Sequence, residues 1–184
     1  MRRALAGFAR RLAASRSGVA LVEFAIAMPV LFTMYLGAFV LSDQIACSRK
    51  VTITARTVAD LTSRYASITP TGLQTVMAAS GQVMNPYTNG GTTRVTELLV
   101  TSPTTATVVW SQSLTGTTMS QGLLIGSVVT LPASMAATGT YLILGEVTYT
   151  YQPVVGLGAN TAMTLYDRSF MSPRISNAIP LSSS

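Results

Sequence analysis

The sequence predicts an α+β fold, with one long N-terminal helix laid on a small, mostly antiparallel β-sheet domain. Three observations carry this. Val19 to Leu41 is a run of 23 residues broken only by Glu23, Pro29 and Thr33. Gln44 to Ile68 follows without proline or glycine and places an apolar residue every three or four positions, the period of a helix with one buried stripe. From Arg94 onward the period becomes two, which is that of strands.

The length of the first run sets its class. About 20 apolar residues are needed to cross a hydrocarbon core of roughly 30 Å, whereas a secretory signal core holds about 7–15. Residues 19–41 are therefore predicted to be a transmembrane helix, and Pro29 is compatible with one. Arg2, Arg3, Arg10, Arg11 and Arg16 precede the run without an acid among them, and Arg49 and Lys50 are the first bases after it. That bias predicts residues 1–18 as an Arg-rich cytoplasmic leader and everything beyond the span as exported. Residues 42–69 are read as an amphipathic continuation of the helix. Its stripe is Val51, Ala55, Val58, Leu61 or Thr62, Tyr65 and Ile68. Val19 to Ile68 as one helix is 50 residues, about 75 Å.

Residues 70–184 are read as the exported α+β domain. Thr71-Gly72-Leu73-Gln74 has the spacing of a capping box, and Leu73, Val76, Met77, Ser80, Val83 and Met84 continue a short second helix. Asn85-Pro86 ends it, and Asn89-Gly90-Gly91 is a turn. Arg94–Val100 and Thr105–Ser111 flank Thr101-Ser102-Pro103-Thr104 as a hairpin. Ser113–Gly122 reads as a polar loop, Leu123–Leu131 as part strand and Pro132–Ala136 as one helical turn. Tyr141–Tyr151 is the clearest strand, closed by Gln152 to Gly158, and Ala162–Phe170 returns as the last. The expected sheet has about four strands.

Composition narrows the function classes. The net charge is +6, and five of those charges sit in the leader. Past Gly18 there are seven bases and six acids, so the basic pI is a topology signal and not a nucleic-acid footprint. Cys47 is the only cysteine; it excludes an intrachain disulfide and reads as a small helix residue rather than a lipidation site. The Arg2-Arg3 and Arg10-Arg11 pairs precede too long an apolar core for a twin-arginine signal. There is no histidine, and so no candidate for the commonest general base and metal ligand. Asp43, Asp60, Glu97, Glu146 and Asp167 are scattered. No phosphate loop or nucleophile elbow occurs. Trp110, Tyr141, Tyr149 and Tyr151 fall in strand patterns and read as packing. The expectation is no enzyme, no catalytic residue, no metal and no cofactor.

The chemistry concentrates at the start of the span. Gly18 is followed by Val19-Ala20-Leu21-Val22, then Glu23 and Phe24. A carboxylate costs about 2.5–3.5 kcal/mol at a bilayer centre and less near its edge, so a chain that keeps one there has a use for it. This pattern resembles the type IV prepilin signal. Arg16 to Leu31 resembles, more narrowly, the TadE/TadG-like proteins of the tight-adherence (Tad, or Flp) pilus, and Glu146 to Pro153 resembles a late segment of them. The resemblance implies a pilin-like fold and cleavage by a prepilin peptidase after Gly18. Val19 would become the charged N-terminus, and Glu23, followed by Phe24, the assembly glutamate that pairs with that amine or a neighbour's. It implies a minor pilin or pseudopilin held in the bacterial inner membrane, with its C-terminal domain periplasmic or in a pilus. Its partners would be other pilin or pilus-assembly subunits, and not nucleic acid. Phe24 stands where processed pseudopilins of this system often carry tyrosine. An uncleaved bitopic anchor whose exported domain binds a partner or a cell-envelope ligand is therefore the alternative.

Overall fold

The computed structural model describes residues 16–87, 91–133, 135, 137–153 and 162–182. Arg2, Arg3, Arg10 and Arg11 of the leader, Asn89-Gly90 of the expected turn and Val154 to Gly158 lie outside the described residues. Helix α1, Arg16–Ser63, runs unbroken through both sequence patterns, with Pro29 inside it. Its 48 residues make a rod of about 72 Å. Every residue from Gly18 to Tyr35 is exposed, whereas from Cys47 onward one face is buried through Val51, Ala55, Val58, Ala59 and Thr62. Among the described residues α1 alone is long and apolar enough to cross a membrane, and it fits a single-pass anchor.

The helix stops five residues short of the Ile68 expected from periodicity. Arg64 N–H and Tyr65 N–H bond back three residues, to the carbonyls of Leu61 and Thr62, which tightens and ends the last turn. Ile68 is buried as expected, but off the helix: its N–H donates to Pro180 O and its carbonyl accepts from Ser182 N–H. Tyr65 is exposed. The chain's final segment thus takes the backbone groups that a longer helix would have used.

Helix α2, Pro70–Gly81, is capped by Thr69, whose hydroxyl accepts from Gly72 N–H at 3.1 Å. The cap is therefore Thr69 and not the capping box expected at Thr71. A 3-10 turn, Gln82–Met84, follows. Six strands then form one antiparallel sheet: β1 Gly91–Ser102, β2 Thr105–Thr115, β3 Thr118–Gln121, β4 Val128–Thr130, β5 Tyr141–Tyr151 and β6 Met163–Met171. The order is β3-β2-β1-β5-β6, with β4 also on β2.

The sheet has six strands where about four were expected, and β3 is the one the sequence reads as loop. Ser113–Gly122 is no loop: β2 continues to Thr115, turns through Gly116 at φ 61°, and returns as β3 with Thr115 opposite Thr118. A two-residue turn with positive φ matches the strand twist. β3 looks polar because it lies at the sheet edge, and its Ser120 pairs with Ser113 of β2 through their hydroxyls at 2.9 Å. In Leu123–Leu131 only Val128–Thr130 is strand. Within Pro132–Ala136, Ser134 and Ala136 lie outside the described residues, and Pro132, Ala133 and Met135 are not helical.

Alternation along β5 sorts its two faces. Ile143, Gly145, Val147, Tyr149 and Tyr151 turn toward α1 and α2, where Val58, Ala59, Leu73, Met77, Val95, Trp110 and Ile179 complete the core. Leu142 and Leu144 turn to the other face and pack with Leu98, Val108 and Leu131. Gly145 marks the closest approach of helix and sheet. A Cβ there would lie 2.6 Å from Ala55 O, 2.8 Å from Val58 Cγ1 and 3.0 Å from the Ala59 Cβ.

Candidate functional site

The residues singled out by the sequence occupy the exposed N-terminal end of α1. The described part of the helix begins at Arg16 and contains the Gly18–Val19 peptide. Glycine costs about 1 kcal/mol relative to alanine in a helix. Val19 and Glu23 are four residues apart and share a helix face, so their Cβ atoms are separated by about 5–6 Å. An amine created at Val19 would fall within reach of a Glu23 carboxylate. Val19 and Phe24 are 60% and 64% exposed and Glu23 is exposed. None of the four is covered by the chain's own sheet domain, so all are open to lipid or to another subunit.

A second constellation lies where the apolar half of α1 meets the domain. Asp43 accepts from the Tyr87 hydroxyl through Oδ1 and from the Tyr151 hydroxyl, at 2.7 Å, through Oδ2. Tyr87 stands edge-on to Tyr149 and Tyr151, with ring centroids 6.2 and 6.4 Å away, the offset geometry that aromatic pairs prefer. One turn on, Cys47 is fully buried, and burial together with Asp43 pushes its thiol up to about 11. Burial and the bond to Asp43 likewise push Tyr151 up to about 12. Lys50 Nζ donates to Val83 O at 3.2 Å, and Thr52 donates to Asp167 on β6. The helix is thus fastened to the sheet within three turns of the end of its apolar half.

The third polar centre ties down the far end. Glu97 is 1% exposed and its Oε1 accepts Ile179 N–H at 2.5 Å, while Trp110 Nε1 donates to Ile179 O at 2.9 Å. Desolvation raises the Glu97 carboxyl above its ordinary range. Arg174 N–H donates to Ser63 O, and its guanidinium joins Arg64 on Asp60, both ion pairs at 2.5 Å. These contacts anchor the final segment across the end of α1.

Among the described residues no group of three or more Cys, Asp or Glu side chains could hold a metal ion. The acids act as hydrogen-bond hubs: Glu146 takes Arg94 Nε at 2.7 Å and the Tyr166 hydroxyl at 2.5 Å.

Residues 18–60 match the family model described as TadE-like protein, and the match begins on the glycine that precedes Val19. This stretch is TadE-like. It covers the exposed end of α1, the Asp43 seat and the helix face that packs on Gly145, and it suggests a component related to the Tad pilus. TadE-like proteins form a family of structural pilus components. No curated protein and no solved structure matches the chain.

The Asp43 seat and the Glu97 clip were invisible to spacing. Asp43 lies 108 residues from Tyr151, and Glu97 lies 82 from Ile179. A faint signal exists for the first: Asp43 is the first acid after the apolar run, and Tyr151 lies in the late segment that resembles the Tad proteins.

Proposed function

We propose that this chain is a minor pilin or pseudopilin-like structural subunit of a Tad (Flp) type IV pilus assembly in the bacterial inner membrane. The observation that carries the reading is the coincidence of the TadE-like match, starting at residue 18, with Gly18 and Glu23 on an exposed helix end. In this reading α1 holds the subunit in the membrane with its N-terminus cytoplasmic. A prepilin peptidase cuts after Gly18. The Val19 ammonium then pairs with Glu23 of its own or a neighbouring chain, and the second pairing sets the axial register of the assembly. Opposite charges in a low-dielectric layer attract strongly, and stranding either one is costly. The Asp43 seat supports this by coupling the helix rigidly to the domain it carries.

A second reading has its own support. Helix α1 runs without interruption from Arg16 across Gly18, as an uncleaved bitopic anchor would, and the domain would then bind a partner or a cell-envelope ligand. Mass spectrometry of the chain extracted from membranes separates the two. A form starting at Val19 is expected. Chains that all retain Arg16, in cells holding the peptidase, would establish the anchor reading instead.

A further inference from the structure

The side of α1 turned away from the sheet carries a pattern that neither lipid nor the domain accounts for. Past the apolar half, Ile45, Arg49, Ile53 and Arg56 follow at steps of four, four and three, and all are exposed, the isoleucines by 54% and 50%. These steps keep one helix face. Neither Arg49 nor Arg56 forms an ion pair or a side-chain hydrogen bond among the described residues, although Arg64, Arg94 and Arg174 all do.

Charge decides what can cover this face. Outside the apolar half the chain has five acids, and all are engaged within it. Asp43 holds two tyrosines, Asp60 two arginines, Glu97 a buried backbone N–H, Glu146 Arg94 and Tyr166, and Asp167 Thr52 and Arg168 N–H. A second copy standing parallel in the same membrane would bring Arg49 and Arg56 against their own like and offer no spare carboxylate. Lipid phosphates fit poorly too. Arg56 lies 15 residues past Leu41, about 22 Å along the axis, whereas the headgroup layer is roughly 5–8 Å deep per leaflet.

We infer that this face, Ile45-Arg49-Ile53-Arg56, is the docking surface for an amphipathic helix of a different protein, one that carries acidic residues two turns apart between apolar ones. Arg49 and Arg56 are seven residues apart, so the matching carboxylates sit about 10 Å apart along the partner axis. The isoleucines supply the apolar contact and the arginines select the partner by sign. The inference uses the membrane span but not the cut at Gly18, so processing data and docking data fail independently.

The test places a photo-reactive amino acid at Ile53 of the full chain in its own cells. A cross-link to another protein is expected, at a helical peptide with Asp or Glu at a spacing of seven. Arg49→Glu together with Arg56→Glu should reduce the adduct at least tenfold at equal membrane level, while Arg49→Lys with Arg56→Lys retains it. Arg49→Gln with Arg56→Gln replaces the reversed pair if that chain does not accumulate, with the same loss expected. An adduct to a second copy, an adduct to phospholipid, an adduct indifferent to the charge changes, or no adduct at all would each overturn the proposal.

Discussion

Single carboxylates carry most of the chemistry of this chain, and their surroundings give them opposite characters. Glu23 is exposed on the apolar half of α1; in the assembly reading its value lies in a charge that another chain completes. Glu23→Ala should leave membrane insertion intact, because an apolar side chain replaces a charged one, while assembly fails. Removing one member of a buried ion pair costs about 3–5 kcal/mol, a factor of several hundred or more. Pili counted by microscopy beside chain level in the membrane fraction give the answer, and normal piliation would remove the assembly role. Glu97 is the reverse case, a carboxyl sealed inside the domain and pushed toward its neutral form by desolvation. Its folded-state value lies above the unfolded one, about 4.3. Between the two the folded chain keeps a proton that the unfolded chain has released, so this group's contribution is most favourable below that window and worsens as pH rises through it. Glu97→Gln, which keeps an acceptor for Ile179 N–H, should therefore stabilise the detergent-solubilised chain at neutral pH. The gain should shrink as pH falls to about 4. A gain that is constant with pH in paired melting curves would show that folding does not raise the Glu97 carboxyl.

At the scale of elements, the contact that matters most is α1 on β5. Gly145 exists there because a Cβ would strike Ala55 O, a backbone atom that cannot rotate aside. Gly145→Ala must lift the helix from the sheet or bend the strand. Overpacking of this kind costs about 1–3 kcal/mol, and the displacement should propagate to the Asp43 seat. Two readouts should move together: a lower melting temperature, and faster alkylation of Cys47, whose buried thiol is otherwise protected. An unchanged melting temperature would mean that the helix rests on the sheet less tightly than Gly145 implies. The sheet edges teach the complementary lesson. β3 lies at the edge, links Ser120 to Ser113 of β2, and offers only Met119 to the core, so it shows too little of the apolar alternation by which a strand is recognised in a sequence.

At the scale of the whole molecule, a rod and a domain are joined without a hinge. α1 continues from its exposed end into the core with no break, and Tyr87, Tyr151, Val83 and Asp167 fasten it on the way. The arginine bias around the apolar half is the ground for proposing that the domain lies outside the cytoplasm. Thr117, exposed in the β2–β3 turn, is a suitable probe. A Thr117→Cys chain in a Cys47→Ser background should react with an impermeant thiol reagent once the outer membrane is permeabilised. Labelling only after lysis of the inner membrane would reverse the topology.

Some of this architecture was readable from local pattern. The apolar run, the amphipathic stretch after it as far as Ser63, the hairpin at Thr101-Ser102-Pro103-Thr104 and the strand Tyr141–Tyr151 emerge as the sequence predicts, because length and hydrophobic period are properties of consecutive residues. The Gly18, Val19 and Glu23 pattern on which the proposed processing rests is local in the same sense. What local pattern could not reach depends on distant partners. Where α1 ends was decided by Pro180 and Ser182 taking the backbone groups of Ile68, more than 100 residues away. Whether Asp43, Glu97 and Glu146 were lone surface acids or hydrogen-bond hubs was decided by tyrosines, a backbone amide and an arginine that only the tertiary fold brings to them. A carboxylate reads the same in any sequence; its charge, its partners and its cost are set by the dielectric and the donors that folding places around it.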